Sequence, residues 1–413
     1  MRLSSDDLPM FFTDSHVRLA ERLRAAAPAI AAVEAPGAHA DEHGRDRAAA
    51  AALGAAGLFE LVVPRAADEA EDSGEPGDRP SQRSGHGIDT RALCLAREML
   101  GYVSARADSI FAVQGLGTHA LGRAGSQAQR AQLAAFARGA QIAAFALTEP
   151  EAGSDVAAIA TRATPVPGSE PGPKGGDGYR LDGDKLFISN LGIADHAMVV
   201  ATVDPSLGHA GLTAFWLPLD APGVTVQPLA AIAAHPIGAL ALRGVALPAS
   251  ARIGEVGQGM KLALETLDAF RVSVGAAAVG MARRALDEAL GFVTARKQFG
   301  KLLSDQPLIQ AHLADMIVDL DAARLLVLRA AHLKDTTGGK VTTEVSIAKL
   351  GATEAAQRVI DRAVQLFGGR GVMAGAVVEQ LYRAIRPLRI YEGTSEIQRT
   401  IIGRALAKQG RVP

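Results

Sequence analysis

The sequence predicts an α+β multidomain protein with an N-terminal helical domain, a middle antiparallel β-barrel or sandwich domain, and a C-terminal four-helix-type bundle. Apolar residues recur with a helical period up to about residue 140 and with a strand period from about residue 141. After about residue 254 the helical period returns, in stretches that contain hardly any helix breaker. These changes of period place the domains at 1–140, 141–254 and 255–413.

Composition narrows the class of protein. Hydrophobic residues make up 48% of the 413 residues but aromatic residues only 4%, which predicts helices packed closely through small side chains. The formal net charge of -1 gives no general attraction to nucleic acid or anionic lipid. Cys94 is the single cysteine, which argues against a disulfide framework and predicts a core residue. The acidic N-terminus and the lack of a long apolar run argue against a signal peptide and a membrane span, and predict a cytoplasmic protein.

The N-terminal domain contains several amphipathic helical patterns. Ser126 and Gln129 have the spacing of a capping box, and Gly139 is placed to end the helix that follows. Residues 66–91 are acidic and rich in glycine and proline, which predicts a mobile surface loop inserted in this domain. The apolar positions that share a helical face are Val17, Ala20, Leu23, Ala27 and Ile30, and later Leu93, Ala96 and Leu100.

Between residues 141 and 254, short apolar or alternating runs separated by turn residues predict a small antiparallel sheet or barrel. Asp182-Gly183 lies between two such runs and predicts a hairpin turn. Residues 165–178 contain many prolines and glycines, which predicts a flexible hairpin tip. Phe187 and Ser189 are two residues apart in a strand, so we expect both on one face of the sheet.

The C-terminal domain is predicted to be helical throughout. Its first helix runs from Gly259 to Arg296, which is more than thirty residues. Two further long helices are predicted over 306–334 and 343–366, followed by two short ones. The apolar positions of these helices suit a bundle with short connections.

Glu392 lies between an aromatic residue and a glycine, just before the last helix. The capping-box spacing of Ser395 and Gln398 predicts the start of that helix. An acidic residue at this place is more often a charge that complements the helix dipole than a catalyst. A function for Glu392 therefore depends on the rest of the chain.

Three segments present polar or glycine residues where a helix or strand ends. TEPEAGSD (148–155) follows a strand, and its small residues let a flat ring or a phosphate approach the backbone. RKQFGK (296–301) joins two long helices and offers the guanidinium of Arg296, which suits a pyrophosphate. QLFGGRG (365–371) is a glycine cluster after a helix. No GxGxxG, Walker-A, GxSxG or HExxH pattern occurs and the histidines are scattered, which argues against a hydrolase triad and a metal site.

Together with YEGTSEIQR (391–399), these segments resemble the acyl-CoA dehydrogenase family, in order and over nearly the whole chain. The resemblance implies an FAD-dependent oxidoreductase of fatty acid metabolism that converts an acyl-CoA thioester to the trans-2-enoyl thioester. It implies that Glu392 is the catalytic base that removes the α-proton, while the β-hydrogen leaves as hydride to FAD. It also implies a homo-oligomer, either a dimer or a tetramer, and an electron-transfer flavoprotein as the electron acceptor.

The resemblance assigns binding residues position by position and assigns no metal ligand. For the substrate it assigns Ser154, Asp268, Arg271 and Gly393. The family residues that reach the FAD of a neighbouring subunit match Arg296, Gln298, Phe299, Gln306, Gln365 and Gly369. The positions assigned to FAD are Phe145, Leu147, Thr148, Gly153, Ser154, Phe187, Ser189, Arg296, Gln298, Phe299, Gln306, Gln365, Gly369, Thr394 and Glu396.

The chain departs from the usual family pattern at several positions. Phe187 stands where many members have tryptophan, and Glu396 stands where glutamine is frequent. In a minority of the family the base is the residue before the helix arginine, which is Phe270 here and cannot accept a proton. Phe270 therefore supports Glu392 as the base, and its bulk hints at a shortened acyl pocket.

Three alternatives to a CoA-specific dehydrogenase stay open. The thioester can be carried by an acyl carrier protein in a biosynthetic pathway, or the reduced flavin can be re-oxidised by dioxygen as in acyl-CoA oxidases. A non-catalytic, DNA-associated protein of the same flavin fold is the third. The near-zero net charge and the retained Glu392 argue against DNA binding, so no nucleic-acid partner is expected.

Overall fold

The computed structural model describes residues 1–64, 87–167, 178–337 and 340–410. The helices within these ranges confirm the predicted mixture of helical and β regions. They are α1 (Ser4–Asp7), α2 (Asp14–Ala32), α3 (Glu42–Ala55), α4 (Thr90–Val103), α5 (Ala105–Ala124), α6 (Gln127–Ala131), α7 (Leu133–Ala137), α8 (Gly259–Ala295), α9 (Pro307–Thr336), α10 (Thr342–Phe367), α11 (Val377–Leu388) and α12 (Ser395–Gln409).

The strands lie almost entirely in the middle of the chain, as the change of period predicts. The first begins at Ala143, soon after α7 ends, and α8 begins six residues after the last strand of the main sheet ends at Ile253. The strands are β1 (Ala143–Ala146), β2 (Arg162–Val166), β3 (Gly178–Ser189), β4 (His196–Thr202), β5 (Leu212–Pro218), β6 (Val224–Pro228), β7 (Ile237–Pro248), β8 (Arg252–Ile253), β9 (Lys297–Gln298) and β10 (Lys301–Leu302).

The chain forms two compact units, each built from separate stretches of sequence. The first unit holds the described residues within Met1–Ala31, Asp78–Asp108 and Arg271–Pro413. The second unit holds those within Ala32–Gly77 and Ser109–Phe270. The α+β fold class is confirmed, whereas the division into three consecutive domains stays a prediction.

The second unit contains an eight-stranded sheet with the order β6-β7-β3-β2-β4-β5-β8, and β1 pairs with β4. Most neighbours are antiparallel, as predicted, but β1 runs parallel to β4 and β2 also makes one parallel pair with β4. Leu181, Val199, Phe215, Leu217 and Leu240 are among the buried residues of its core. The prediction of a purely antiparallel sheet is therefore wrong at β1, a short strand whose direction the alternation of residues does not reveal.

The predicted hairpin turn at Asp182-Gly183 is wrong, because β3 continues through both residues. Gly183 has φ 151°, and a Cβ atom there would lie 2.7 Å from the Cα of Thr161. The glycine thus serves a close approach between backbones and not a turn. β2 and β3 pair as antiparallel neighbours, with Val166 opposite Gly178. The predicted flexible tip within 165–178 falls largely on 168–177, outside the described residues.

The first unit is helical apart from the short β9–β10 hairpin, so the prediction of a C-terminal part that is helical throughout is wrong there, whereas its long helices match the prediction. Within this unit α10 packs against α9, α11 and α12. Small residues allow α4 and α8 to pack closely. A Cβ atom on Gly280 of α8 would lie only 2.0 Å from the carbonyl oxygen of Glu98 in α4. Cys94 is buried, as predicted. None of the helices in the described ranges is long and apolar enough to cross a membrane.

Predictions about helix starts have mixed outcomes. The capping box of Ser126 and Gln129 is confirmed by reciprocal hydrogen bonds of 2.9 and 3.2 Å. The predicted box at Ser395 is wrong, because Thr394 is the N-cap and its hydroxyl accepts from the N–H of Ile397. Of the acidic segment 66–91, residues 66–86 lie outside the described residues, and Thr90 already belongs to α4.

The predicted apolar face of α2 is confirmed at four of its five positions. Ala20, Leu23, Ala27 and Ile30 are buried, whereas Val17 is 45% exposed. In this first turn of α2 the buried face is occupied by His16, which is 1% exposed, and not by Val17.

Candidate active site

Glu392 lies in a tight loop between α11 and α12, in the first unit. Its φ is 52° and that of Gly393 is 90°, so two successive residues adopt left-handed backbone conformations. A Cβ atom on residue 393 would lie 2.6 Å from the side-chain nitrogen of Gln398, which explains the glycine. A non-glycine residue at positive φ is strained, and such residues cluster at functional sites.

Side chains from three helices bind the carbonyl oxygens of this loop. Arg271 of α8 donates from Nε to the carbonyl oxygen of Glu392 at 3.2 Å. Lys349 of α10 and Gln398 of α12 both donate to the carbonyl oxygen of Gly393, at 2.8 and 3.0 Å. These contacts fix the strained backbone, and with it the direction of the Glu392 side chain.

The carboxylate of Glu392 is buried, with its side chain only 6% exposed. Its Oε2 has no hydrogen-bond partner among the described residues, and its Oε1 lies 3.9 Å from Nη1 of Arg97. Burial raises the pKa of Glu392 above its ordinary value, and the nearby cations Arg97, Lys349 and Arg271 oppose that rise. The interpretation of Glu392 as a solvated charge that complements the helix dipole is therefore wrong.

Arg97 is a fully buried arginine that the sequence analysis missed. Its Nε and Nη2 donate to both carboxylate oxygens of Asp108, at 2.9 and 2.8 Å, and its Nη1 donates to the hydroxyl of Ser273 at 3.0 Å. Arg97 adjoins the apolar face of α4. A charged residue next to this buried face was the only feature of the sequence that pointed to Arg97. The pair brings two opposite charges next to Glu392.

Lys349 is the second missed residue. Its side chain is fully buried, and burial lowers its pKa to about 8, against the opposing effect of Glu392. Like Arg97, it was visible in the sequence only as a charged residue within an apolar helical pattern. Arg271 and Gly393, which were predicted, lie beside it at the loop.

In the second unit, the structure brings together the two strand ends that were assigned to the flavin. The N–H of Leu186 donates to the carbonyl oxygen of Thr148 at 3.0 Å. Phe187 has φ 59° and is 63% exposed, and β3 changes register against β7 between Lys185 and Ile188. The regular alternation of side chains along β3, from which we expected Phe187 and Ser189 to share a face, is therefore interrupted at Phe187.

A buried ion pair between Lys185 and Glu149 connects the ends of β1 and β3. Nζ of Lys185 donates to Glu149 at 2.7 Å and to the carbonyl oxygen of Leu147 at 3.1 Å. Glu149 also accepts from the N–H groups of Ala160 and Thr161, at 2.7 and 3.0 Å. Neither charged residue was predicted to have a role, although Leu147 was.

The other predicted residues of the second unit are placed as follows. Phe145 lies in β1 and is half-buried, and Leu147 is buried. Gly153 and Ser154 are exposed in the loop after β1. Asp268 is half-buried in α8. Phe270 is fully buried, where its ring is edge-on to His119 at 5.9 Å.

The remaining predicted residues of the first unit lie at or near its surface. Phe299 has φ 51° at the tip of the β9–β10 hairpin and is 95% exposed. Thr394 caps α12, while Gln306 is half-buried at the start of α9. The exposed members are Arg296, Gln298, Gln365, Gly369 and Glu396.

The residues of the second unit fit a flavin. The exposed ring of Phe187 offers a flat apolar surface. Thr148, whose backbone binds that of the adjacent Leu186, carries a hydroxyl group, and Ser154 carries another in the exposed loop after β1. No atom lies within 4 Å of the Cβ position of Gly153, so a flat ring or a phosphate has room to approach this backbone.

Comparison with known proteins identifies the family. The models of the acyl-CoA dehydrogenase middle and C-terminal domains match residues 144–245 and 257–407. A probable acyl-CoA dehydrogenase of Mycobacterium tuberculosis is 38% identical over 333 residues, which are 80% of this chain and 83% of that relative. The chain belongs to the acyl-CoA dehydrogenase family. It is thus an oxidoreductase, and its cofactor is FAD.

Solved structures of other acyl-CoA dehydrogenases have the same fold. Butyryl-CoA dehydrogenase from Megasphaera elsdenii is 31% identical with a TM-score of 0.82, over 96% of this chain and 99% of that one. Glutaryl-CoA dehydrogenase from Mycobacterium smegmatis, in complex with FADH2, is 26% identical with a TM-score of 0.81, over 100% and 99%. The fold of these two enzymes therefore extends over nearly the whole of this chain.

Proposed function

We propose that this protein oxidises a short acyl-CoA thioester to the trans-2-enoyl thioester, with Glu392 as the base that removes the α-proton. The observation that carries the proposal is the buried Glu392 carboxylate, whose Oε2 has no hydrogen-bond partner among the described residues. A base for carbon acids has to be ionised at the working pH yet poorly solvated, so that it gains much by taking a proton. Burial leaves the Glu392 carboxylate poorly solvated and raises its pKa, while Arg97, Lys349 and Arg271 favour its ionised form.

The loop backbone has a second task in this proposal. An α-proton becomes acidic only when the enolate oxygen of the thioester is stabilised by hydrogen-bond donors. We assign one donor to the backbone N–H of Glu392, which lies at the strained position of the loop. The contact between Arg271 and the Glu392 carbonyl oxygen helps to keep the loop in that conformation.

Bound FAD supplies the acceptor for the β-hydrogen, which leaves as hydride. The residues proposed to hold it in the second unit are those at the ends of β1 and β3, above all Thr148, Ser154 and Phe187. The exposed Arg296, Phe299 and their neighbours are proposed to contact the FAD of a second subunit. Phe299 is 95% exposed at the tip of the β9–β10 hairpin, where its ring is accessible to a partner subunit. The oligomer is proposed to be a dimer or a tetramer.

The preference for a short acyl group rests on two observations. Butyryl-CoA dehydrogenase, one of the similar structures, is named for a four-carbon acyl group. Phe270 adds a large ring to α8 directly before Arg271, and Gly115 provides the space for it, since a Cβ atom there would lie 2.5 Å from the ring. We propose fatty acid metabolism as the pathway class, an electron-transfer flavoprotein as the acceptor, and the cytoplasm as the compartment.

Anaerobic flavin bleaching tests the proposal. The purified protein is mixed with acyl-CoA thioesters of increasing length, and flavin absorbance and the 2-enoyl product are followed. Butanoyl-CoA is expected to reduce the flavin, while Glu392→Gln is expected to keep its FAD and lose the reduction. Glu21→Gln, which changes an exposed carboxylate on α2, is the matched control. A Glu392→Gln variant that is reduced as fast as the control would exclude Glu392 as the base.

The same assay separates the alternatives. Turnover of butanoyl groups on CoA and on acyl carrier protein shows which carrier is preferred. Hydrogen peroxide equal to the enoyl product in air would show an oxidase, contrary to the proposed flavoprotein acceptor. Failure of every thioester to reduce the flavin would contradict the proposed function itself.

A further inference from the structure

Glu392 faces a buried ion pair that the proposed reaction does not use directly. Arg97 lies with Nη1 3.9 Å from the Glu392 carboxylate, too far for a hydrogen bond but close enough for a strong charge interaction. Both carboxylate oxygens of Asp108 bind the other side of the same guanidinium, and Ser273 binds Nη1. Arg97, Asp108 and Ser273 are all buried in the first unit.

We propose that Arg97 and Asp108 form a positioning pair that sets the proton affinity of Glu392. Arg97 keeps the buried carboxylate ionised, and Asp108 limits how strongly it does so by neutralising much of the guanidinium charge. The proposal rests on the proposed role of Glu392 as the base. It assigns to the pair no contact with substrate or cofactor.

The geometry explains why both Arg97 and Asp108 are needed to set the proton affinity of Glu392. A direct bidentate bond between Arg97 and Glu392 would hold the carboxylate as a stable anion and make it a weak base. A buried carboxylate with no cation would stay protonated at neutral pH and could not accept a proton. The bidentate bond to Asp108 turns the strongest donors of Arg97 away from Glu392, and leaves the 3.9 Å interaction as the intermediate case.

Other charged groups around Glu392 are also accounted for. Arg271 of α8 and Lys349 of α10 are further cations, but both donate hydrogen bonds to carbonyl oxygens of the loop. Burial raises the pKa of the neighbouring Tyr391, so that its phenol stays neutral in the working range. Arg97 differs from these two cations because it forms a bidentate bond to another carboxylate, that of Asp108.

The first test is the pH dependence of anaerobic flavin reduction. In Arg97→Met the acid limb is expected to move to higher pH by roughly 1–3 units, because an opposite charge at this distance shifts a pKa by that amount. In Asp108→Asn the limb is expected to move to lower pH, because the full charge of Arg97 then acts on Glu392. Opposite shifts from the two halves of one ion pair are not expected of a purely structural pair.

Three variants keep the test decisive if a single change impairs folding. Arg97→Lys retains the charge and is expected to hold the limb near its original pH. The double variant Arg97→Met/Asp108→Leu removes both members of the ion pair, so that Asp108 is not left as an unpaired anion, and its limb is expected between those of wild type and Arg97→Met. Arg91→Met/Asp335→Leu removes another buried ion pair of the first unit and is expected to leave the limb unmoved.

The second test does not depend on turnover. The carboxyl carbon of Glu392 is observed by 13C NMR in protein labelled at glutamate, and is assigned by its loss in Glu392→Gln. Its titration midpoint is expected to shift in the same directions as the kinetic limb. The same midpoint in wild type, Arg97→Met and Asp108→Asn would overturn the inference, even if acyl-CoA oxidation is confirmed. Absence of any flavin reduction would contradict the proposed function and leave this titration as the test of the pair.

Discussion

Lys349 donates from its ammonium nitrogen to the carbonyl oxygen of Gly393 at 2.8 Å. This contact joins a fully buried lysine on α10 to the residue that follows the proposed base. Gln398 donates to the same oxygen at 3.0 Å, so that one carbonyl group is held from two helices. The loop that carries Glu392 is thus part of the packed interior of the first unit.

Replacement of Lys349 tests the importance of this contact. In Lys349→Met, flavin reduction is expected to fall by about tenfold or more, because a loop displacement of about an ångström has effects of that size. Loss of a nearby cation also raises the pKa of Glu392 further. Stopped-flow reduction by butanoyl-CoA measures the rate, and Lys340→Met, at an exposed lysine before α10, is the control. Equal rates in both variants would show that the Gly393 contact has no role.

The same lysine predicts a pH dependence of stability. Its pKa in the folded protein is about 8, below the ordinary value of 10.5, so the unfolded chain binds more protons between these pH values. Through this group, the free energy of unfolding therefore rises as pH increases from about 8 to 10.5. Chemical denaturation at pH 7.5 and 9.5 is expected to show a gain of about 1–3 kcal/mol for wild type relative to Lys349→Met. A relative loss over the same interval would contradict the assigned pKa.

Two glycines of the same segment are expected to respond oppositely to alanine. Gly393→Ala places a Cβ atom at φ 90° and 2.6 Å from Gln398, and is expected to cost about 1–3 kcal/mol. Gly403 lies inside α12, and no other part of the described chain comes within 4 Å of its Cβ position, so Gly403→Ala is expected to stabilise by about 0.5–1 kcal/mol. Thermal unfolding of the two variants checks the signs. A stabilising Gly393→Ala would show that the loop relaxes freely.

The buried pair of Lys185 and Glu149 is expected to support the flavin-binding strand ends. Glu149→Gln leaves the ammonium of Lys185 buried without its counter-charge, which is expected to cost about 3–5 kcal/mol. Asp184→Asn, which removes an exposed pair with Arg243, is expected to cost about 0–1 kcal/mol. Urea unfolding and the flavin content of the purified protein are measured for both. Full flavin content and unchanged stability in Glu149→Gln would exclude this role.

The sequence was sufficient for most of the fold, because long periodic segments carry their own signal. The unbroken pattern from Gly259 onward predicted α8 to within one residue of its observed end at Ala295. Local turn chemistry was less reliable, since Asp182-Gly183 has the residues of a hairpin turn and lies inside β3. The glycine at position 183 is explained by the close approach of Thr161. Thr161 is twenty-two positions away in the chain, so no rule based on local sequence includes it.

The candidate site was predictable only in part, for a similar reason. Glu392, Gly393 and Arg271 were found because their motifs resemble those of a known family, and the structure brings these three together. Arg97 and Lys349 were missed because a charged residue in a helix is usually on a solvated face. Their contacts with the Glu392 loop join residues 44 or more positions apart in the chain, which only the folded structure shows.

Removal of the α-proton by Glu392 is most directly tested by a single turnover with α-deuterated butanoyl-CoA. In wild-type protein under anaerobic conditions, deuterium at the α-carbon is expected to slow flavin reduction severalfold. In Glu392→Gln with FAD retained, the rate with ordinary butanoyl-CoA is expected to fall by about 10²–10⁴-fold. Reduction of the Glu392→Gln flavin at the wild-type rate, with the same isotope effect, would contradict the assignment of Glu392 as the base.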